Sequence, residues 1–182
     1  LLGMAKNTED GIEAYVCPML IPSNHPLASV NDSYNAVFVN GDAVENAMFY
    51  GRGAGELPTA SAVVGDLFDI ARNISAGCCG RIGCTCYKEI PVKKMADTHN
   101  RYFMRLIVED RCGVLAEMTA VFAKYGVSVA QIIQKAAREA GSAEVVVITA
   151  KVREGDFRTA MEELSGRKSV RKISSMLRVY GE

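Results

Sequence analysis

The chain has 182 residues, enough for one large or two small domains, and its 49% hydrophobic and 23% charged content is that of a soluble globular protein. Twenty-one basic residues face twenty-one acidic ones, leaving no cationic surplus for nucleic acid or an anionic membrane surface. No apolar run approaches the roughly 18 residues that cross a bilayer, and the opening Leu1-Leu2-Gly3 has no Met and no charged-then-apolar leader. Because it starts inside what reads as a strand, the chain is expected to be a fragment with upstream sequence missing.

The first half reads as strands followed by one helix. LLGMAK (Leu1 to Lys6) and IEAYVCPMLI (Ile12 to Ile21) are β-permissive runs joined by Asn7-Thr8-Glu9-Asp10-Gly11, a hairpin loop by its turn chemistry. YNAVFV (Tyr34 to Val39) leads through Asn40-Gly41-Asp42 toward AMFYG (Ala47 to Gly51), and Asn-Gly between apolar segments predicts a second hairpin. From Pro58 to Ile74 the period changes. Val63, Val64, Leu67, Ile70, Ala71 and Ile74 recur at helical spacing, with Pro58 and Thr59 at the start. The expectation for residues 1–75 is an incomplete mixed or antiparallel sheet with one packing helix.

Residues 76–100 break the pattern with glycines, cysteines, Pro91 and mixed charge, and read as a linker. The stretch 101–182 then alternates clearly: strand Arg101 to Asp110, helix Val114 to Tyr125, strands Val127 to Ala136 and Glu144 to Val152, helix Gly155 to Gly166, strand Val170 to Gly181. The order βαββαβ predicts a ferredoxin-like fold, with two helices on one face of a four-stranded antiparallel sheet. The whole is therefore α+β.

Two strand-to-helix turns carry candidate chemistry. In Glu109-Asp110-Arg111-Cys112-Gly113-Val114-Leu115 an acid ends a strand, glycine makes a turn and a helix begins. Free backbone N–H groups and the helix dipole suit a carboxylate there, and Asp110 suits the ammonium of the same ligand. The plainer alternative is that Gly113 only turns the chain and Asp110 only caps the helix. In the first half, Gly51, Gly53 and Gly55 sit between a strand and the helix near Pro58. This does not match the dinucleotide fingerprint, since no βαβ unit and no acid on a second parallel strand accompany it.

Residues 101 to 181 resemble an ACT domain, on the segment VEDRCGVLAEMTAVFAKYGVSV. The resemblance implies an amino-acid site at Asp110, Arg111, Gly113, Val114 and Leu115. It also implies completion by a neighbouring copy near Gln131, Ile132 and Ile133, because such domains pair side by side. Leu1 to about Ile74 resembles the C-terminal portion of homoserine dehydrogenase, through IPSNHPLASV, NAVFVNGDAV and YGRGAGELPTAS. Glu45 departs from that pattern, standing where a small residue such as glycine is expected.

That second resemblance implies an NAD(P)-dependent oxidoreductase interconverting L-aspartate 4-semialdehyde and L-homoserine. Gly53, Gly55 and Thr59 would touch the nicotinamide end of the cofactor, or else the glycines only let sheet and helix pack. The family's Rossmann domain and catalytic lysine precede the matching segment. No catalytic residue is therefore expected here, no cofactor is expected on the fragment, and Lys6, Glu9 and Asp10 in the hairpin are not candidates. The expected effector is L-threonine, and the expected assembly is a homodimer or higher oligomer. The competing reading is a stand-alone amino-acid-binding module.

Of the six cysteines, Cys78, Cys79, Cys84 and Cys86 cluster within CCGRIGCTC. Their spacings are not those of a zinc knuckle or ribbon, so reduced thiols in a cytoplasmic protein are expected, and no metal. His25, before Pro26, reads as structural, and His99 reads as exposed.

Overall fold

In the computed structural model the described residues are 1–78, 80, 83–136 and 139–181. They form two compact units, Pro22–Glu89 and a second that joins Leu1–Ile21 to Ile90–Glu182. Compactness thus does not follow chain order.

The larger unit contains the ferredoxin-like element order. Strand β6 (His99–Glu109) is followed by α2 (Val114–Lys124), β7 (Val129–Ala136), β8 (Ser142–Thr149), α3 (Glu154–Ser165) and β10 (Val170–Val179), with the two-residue β9 (Val152–Arg153) before α3. The sheet order is β10-β6-β8-β7, all antiparallel neighbours, so β6 and β7 run parallel with β8 between them. This is the split βαβ arrangement that the alternating pattern predicts.

Along β6, alternate residues Tyr102, Met104, Leu106 and Val108 are buried, and so are Val145 and Val147 of β8. Helices α2 and α3 lay Val114, Met118, Val121 and Phe122, and Phe157, Ala160, Met161 and Leu164, onto the same core. Each fully buried Leu, Met or Phe contributes about 1.5–3 kcal/mol relative to exposure.

The first hairpin, β1 (Leu2–Thr8) with β2 (Gly11–Cys17), belongs to this unit. The run Ile12 to Ile21 is not one strand. Pro18, which has no N–H to give a ladder, divides it into β2 and a short β3 (Met19–Leu20). β3 then pairs in parallel with β10 at Arg178 and Val179, extending the sheet by one edge. Ile12 exchanges backbone bonds with the segment before β6: its N–H donates to Pro91 O at 2.8 Å, and Lys93 N–H donates to its carbonyl at 2.9 Å. The Lys93–Glu13 ion pair (3.3 Å) and a hydrogen bond from the Tyr15 hydroxyl to Asn100 (2.8 Å) add side-chain ties. Gly11 is forced here, because its φ is +135° and a Cβ would fall 2.5 Å from Pro91 O.

The smaller unit holds β4 (Tyr34–Gly41) paired with β5 (Glu45–Arg52), then α1 (Glu56–Ser75). The hairpin forms, but its turn is not at Asn40-Gly41. Both residues stay in β4, opposite Asn46 and Glu45, and the connection is Asp42-Ala43-Val44. Asp42 caps its own turn by accepting the Ala43 N–H at 2.8 Å. The positive φ falls on Glu45, at +54°, the residue that departs from the family's small side chain. No residue of α1 is buried.

Candidate functional site

The turn between β6 and α2 is built on Gly113, with φ +91° in the left-handed region. That conformation lets the chain reverse and start α2 at Val114, and no side chain caps the helix. The first-turn N–H groups are therefore left to solvent or a ligand. They open on a cavity of about 200 Å3 whose lining includes Arg111, Gly113, Val114 and Leu115. Those four predicted residues come together.

Asp110 does not join them. It is exposed, its N–H donates to Gly141 O at 3.2 Å, and it is not among the lining residues. Gln131, Ile132 and Ile133 are exposed on β7, at the open edge of the sheet, and also lie outside the cavity lining. The strand's contribution is Gln134 instead, together with Val108, Glu109 and Cys112. Gln134 pairs with Val145, whose side chain is in the core, so strand parity gave a signal for it: alternate residues of β7 reach the α2 side.

Arg111 is braced on both sides, by Glu109 at 2.8 Å and Glu117 at 2.8 Å. Those two hydrogen bonds, with Glu109 the larger, raise its pKa above the ordinary value. With its charge matched in this way, Arg111 adds no net cation to the cavity. An incoming carboxylate would rely on backbone N–H groups, and the excess negative charge of Glu109 and Glu117 would suit an ammonium.

The second predicted turn joins β5 to α1. Gly53, Gly55 and Thr59 are all exposed. Only Gly55 has a backbone reason to be glycine. Gly55, the N-cap of α1, has φ +123°, whereas a Cβ on Gly53 would meet the exposed Asn35 side chain, which can swing aside. The Thr59 hydroxyl donates back to Gly55 O at 2.7 Å, which tightens the first turn, and no side chain caps this helix. Beside it, Tyr34 stacks on Tyr50 at 4.9 Å, and the Arg52 guanidinium lies 5.0 Å from the Tyr34 ring centre. The turn thus offers exposed amides, close to an aromatic and cationic surface.

His25 accepts the Leu27 N–H at 3.2 Å and packs 4.8 Å from Phe38, a structural role in the turn before Pro26. His99 is exposed within β6. Lys6, Glu9 and Asp10 are exposed in the first hairpin. Cys17 is buried, Cys78 half-buried, and Cys84, Cys86 and Cys112 exposed, all as free thiols. Cys79 lies outside the described residues. Among the described residues no group of three or more His, Cys, Asp or Glu could hold a metal ion, and no helix is long and apolar enough to cross a membrane.

A third cluster was not legible in the sequence. Glu154, at the start of α3, is 3% exposed. It accepts hydrogen bonds from the Tyr102 hydroxyl (2.5 Å), Arg178 (2.5 Å) and Arg158 (2.7 Å). Burial favours the neutral acid, but the three donors outweigh it and hold the carboxyl below its ordinary range. Burial, then the bond to Glu154, pushes the Tyr102 phenol well up. These residues are separated by 52 and 24 positions from Glu154, and only strand pairing of Tyr102 opposite Arg178 brings them together.

Comparison with known proteins matches this arrangement. The homoserine dehydrogenase family model covers residues 1–68, and the ACT domain model covers residues 102–167. The chain is 41% identical to a homoserine dehydrogenase of Corynebacterium glutamicum over 96% of its length, and 36% identical to one of Bacillus subtilis over 100%. It spans 38% and 42% of those two curated relatives. A homoserine dehydrogenase structure from Thiobacillus denitrificans superposes with a TM-score of 0.86 at 32% identity, covering 98% of this chain and 41% of that one. One from S. aureus superposes at 0.58 with 27% identity, covering 99% of this chain and 41% of that one. The chain thus matches the C-terminal part of homoserine dehydrogenases along its whole length, with the homoserine dehydrogenase family over residues 1–68 and an ACT domain over residues 102–167.

Proposed function

We propose that this chain is the regulatory and subunit-contact end of a homoserine dehydrogenase, and that its ACT domain binds L-threonine as a feedback effector. Residues 1–75 would form the C-terminal part of the catalytic and dimerisation domain, 76–100 the connection and 101–182 the sensor. The intact enzyme would interconvert L-aspartate 4-semialdehyde and L-homoserine with NAD(P). The 182 residues alone would not catalyse hydride transfer, because no residue here is a candidate for the catalytic lysine. The protein would work in the cytoplasm.

One observation carries the sensor reading: an uncapped helix start behind Gly113, opening on a cavity beside two carboxylates. The amides would take the effector's carboxylate and Glu109 its ammonium. Asp110, Gln131, Ile132 and Ile133 would enter only if a second copy met the open β7 edge and closed the site from outside.

At the other turn, Gly53, Gly55 and Thr59 would border the nicotinamide. The exposed first-turn amides of α1 fit a carboxamide oxygen, and the bound cofactor would supply hydride chemistry that nothing in this chain supplies. The chain's own part there is to present donors and exclude water.

A stand-alone module is the weaker reading. Leu57, Leu67, Phe68 and Ile74 of α1 are all at least 59% exposed, an apolar face that calls for a covering surface in a larger assembly.

Titration calorimetry of the chain tests the sensor. L-threonine is expected to bind and to raise Tm, as any ligand of the folded state alone must. Gly113→Ala, strained by its positive φ although its Cβ would meet open space, is expected to weaken binding about tenfold, or ~1.4 kcal/mol. No heat with threonine, isoleucine, methionine or serine would refute the sensor.

A further inference from the structure

The Glu154 cluster borders a cavity of about 380 Å3, within the roughly 300–1,000 Å3 range of small-ligand sites and nearly twice the volume behind Gly113. One wall is a stripe of α3, Glu154, Arg158 and Glu162, at helical four-residue spacing. The opposite wall is the Met176 side chain of β10, which shares the helix-covered face with Met104, and Pro18 borders the same space.

The charges are two carboxylates, Glu154 and Glu162, against two guanidiniums, Arg158 and Arg178, so the lining is formally neutral. Their engagement is unequal. Glu154 is saturated by its three donors; Arg178 binds it through Nη2 and lies 5.1 Å from the ring of Tyr15, while its buried Nε has no hydrogen-bond partner. Among the described residues Arg158 uses only Nε and Nη2, both on one Glu154 oxygen, and its side chain is 63% exposed. Its Nη1 is left with two donors. Glu162 is exposed and takes part in no ion pair among the described residues. A guanidinium and a carboxylate with free capacity thus stand one helical turn apart, ~6 Å, facing an apolar wall.

We propose that this cavity is a second ligand site, for an α-amino acid with an aliphatic side chain. The ligand's carboxylate meets Arg158 Nη1, its ammonium meets Glu162, and its side chain lies against Met176 and Pro18. A simple anion is disfavoured by Glu162, and a simple cation by Arg158. A zwitterion satisfies both and leaves its apolar end for the far wall. The cavity shares no lining residue with the one behind Gly113, so this site stands or falls independently of the threonine reading. An occupant touching Pro18 would also bridge the β2–β3 corner, which falls in the homoserine dehydrogenase match, to the ACT sheet.

The test uses the 182-residue chain with methyl-labelled methionine, the Met176 signal being assigned through Met176→Leu. Titration with L-leucine, L-isoleucine or L-methionine is expected to shift the Met176 methyl saturably, and acetate is not. Glu162→Lys, and more mildly Glu162→Gln, should weaken that response, the former by at least about tenfold. Both are exposed changes outside any ion pair, and a preserved circular dichroism spectrum confirms the fold. Gly113→Ala should leave the Met176 response intact. No shift with any of the three amino acids, an equal response to acetate, or unchanged affinity in Glu162→Lys would each overturn the proposal. Absence of threonine heat in the unmodified chain, with its Met176 response present, would overturn the Gly113 reading alone.

Discussion

The two compact units contain similar helices with opposite fates. α1 repeats apolar residues at three and four positions as α2 and α3 do, yet none of its residues is buried, while α2 buries Val114, Met118, Val121 and Phe122. Phe49 and Val37 of the β4–β5 hairpin are likewise more than 60% exposed. An amphipathic pattern states that a face is to be covered, not by what. In the larger unit the covering sheet lies in the same chain. Among the described residues nothing buries any residue of α1, and the relatives are more than twice as long as this chain.

The sharpest way to break this contrast is a matched pair of truncations. Leu164→Ala, at a fully buried position of α3, is expected to cost about 3–4 kcal/mol from the cavity it leaves. Phe68→Ala, 60% exposed on α1, is expected to stay within about 0.5 kcal/mol. Urea unfolding of both variants decides it, and a large cost for Phe68→Ala would mean that α1 is covered in solution.

A smaller effect is expected from Glu154→Gln, about 2–3 kcal/mol, because it leaves Arg178 without its counter-charge. The value stands below that of a fully enclosed pair because the cluster borders an open cavity. Loss confined to the larger unit, read by hydrogen exchange of β6 and β10, would sharpen the comparison.

The mildest lever is pH. Glu163 is held down to about 2 by hydrogen bonds from Lys124, Arg167 and Tyr125, and Glu154 is also below its ordinary value of 4.5. Both carboxyls are depressed in the folded state. Their stabilisation is therefore complete above about 4.5 and is lost as pH falls through the lowered folded values. Thermal melts are expected to be flat from neutral pH to about 5 and to decline below it, less steeply in Glu163→Gln. An unchanged slope in that variant would remove Glu163 from the account.

Legibility followed locality. The βαββαβ order, the reversal at Gly113 and the helix read from Pro58 to Ile74, found as Glu56–Ser75, were readable because period, glycine and proline act over a few positions. The Asn40-Gly41 turn was misplaced for the same reason. The local signal is strong, but strand register carried Asn40 and Gly41 into the ladder and put the positive φ on Glu45. Gln134 entered the Gly113 cavity; Gln131 and Ile133 lie on the opposite face of β7, and Ile132, on the same face, sits two residues further along the strand. Face and position along the strand thus both decide what a strand contributes.

By itself the sequence determined the element order of the ACT domain, the two glycine-bearing strand-to-helix turns and the apolar stripes, all set by short-range sterics and periodicity. Tertiary structure alone decided that β3 joins the ACT sheet, that Tyr102, Glu154 and Arg178 form one cluster, and that Arg158 and Glu162 face an apolar wall. Those outcomes join residues tens of positions apart, and only the hydrogen-bond register of the folded sheet sets such distances.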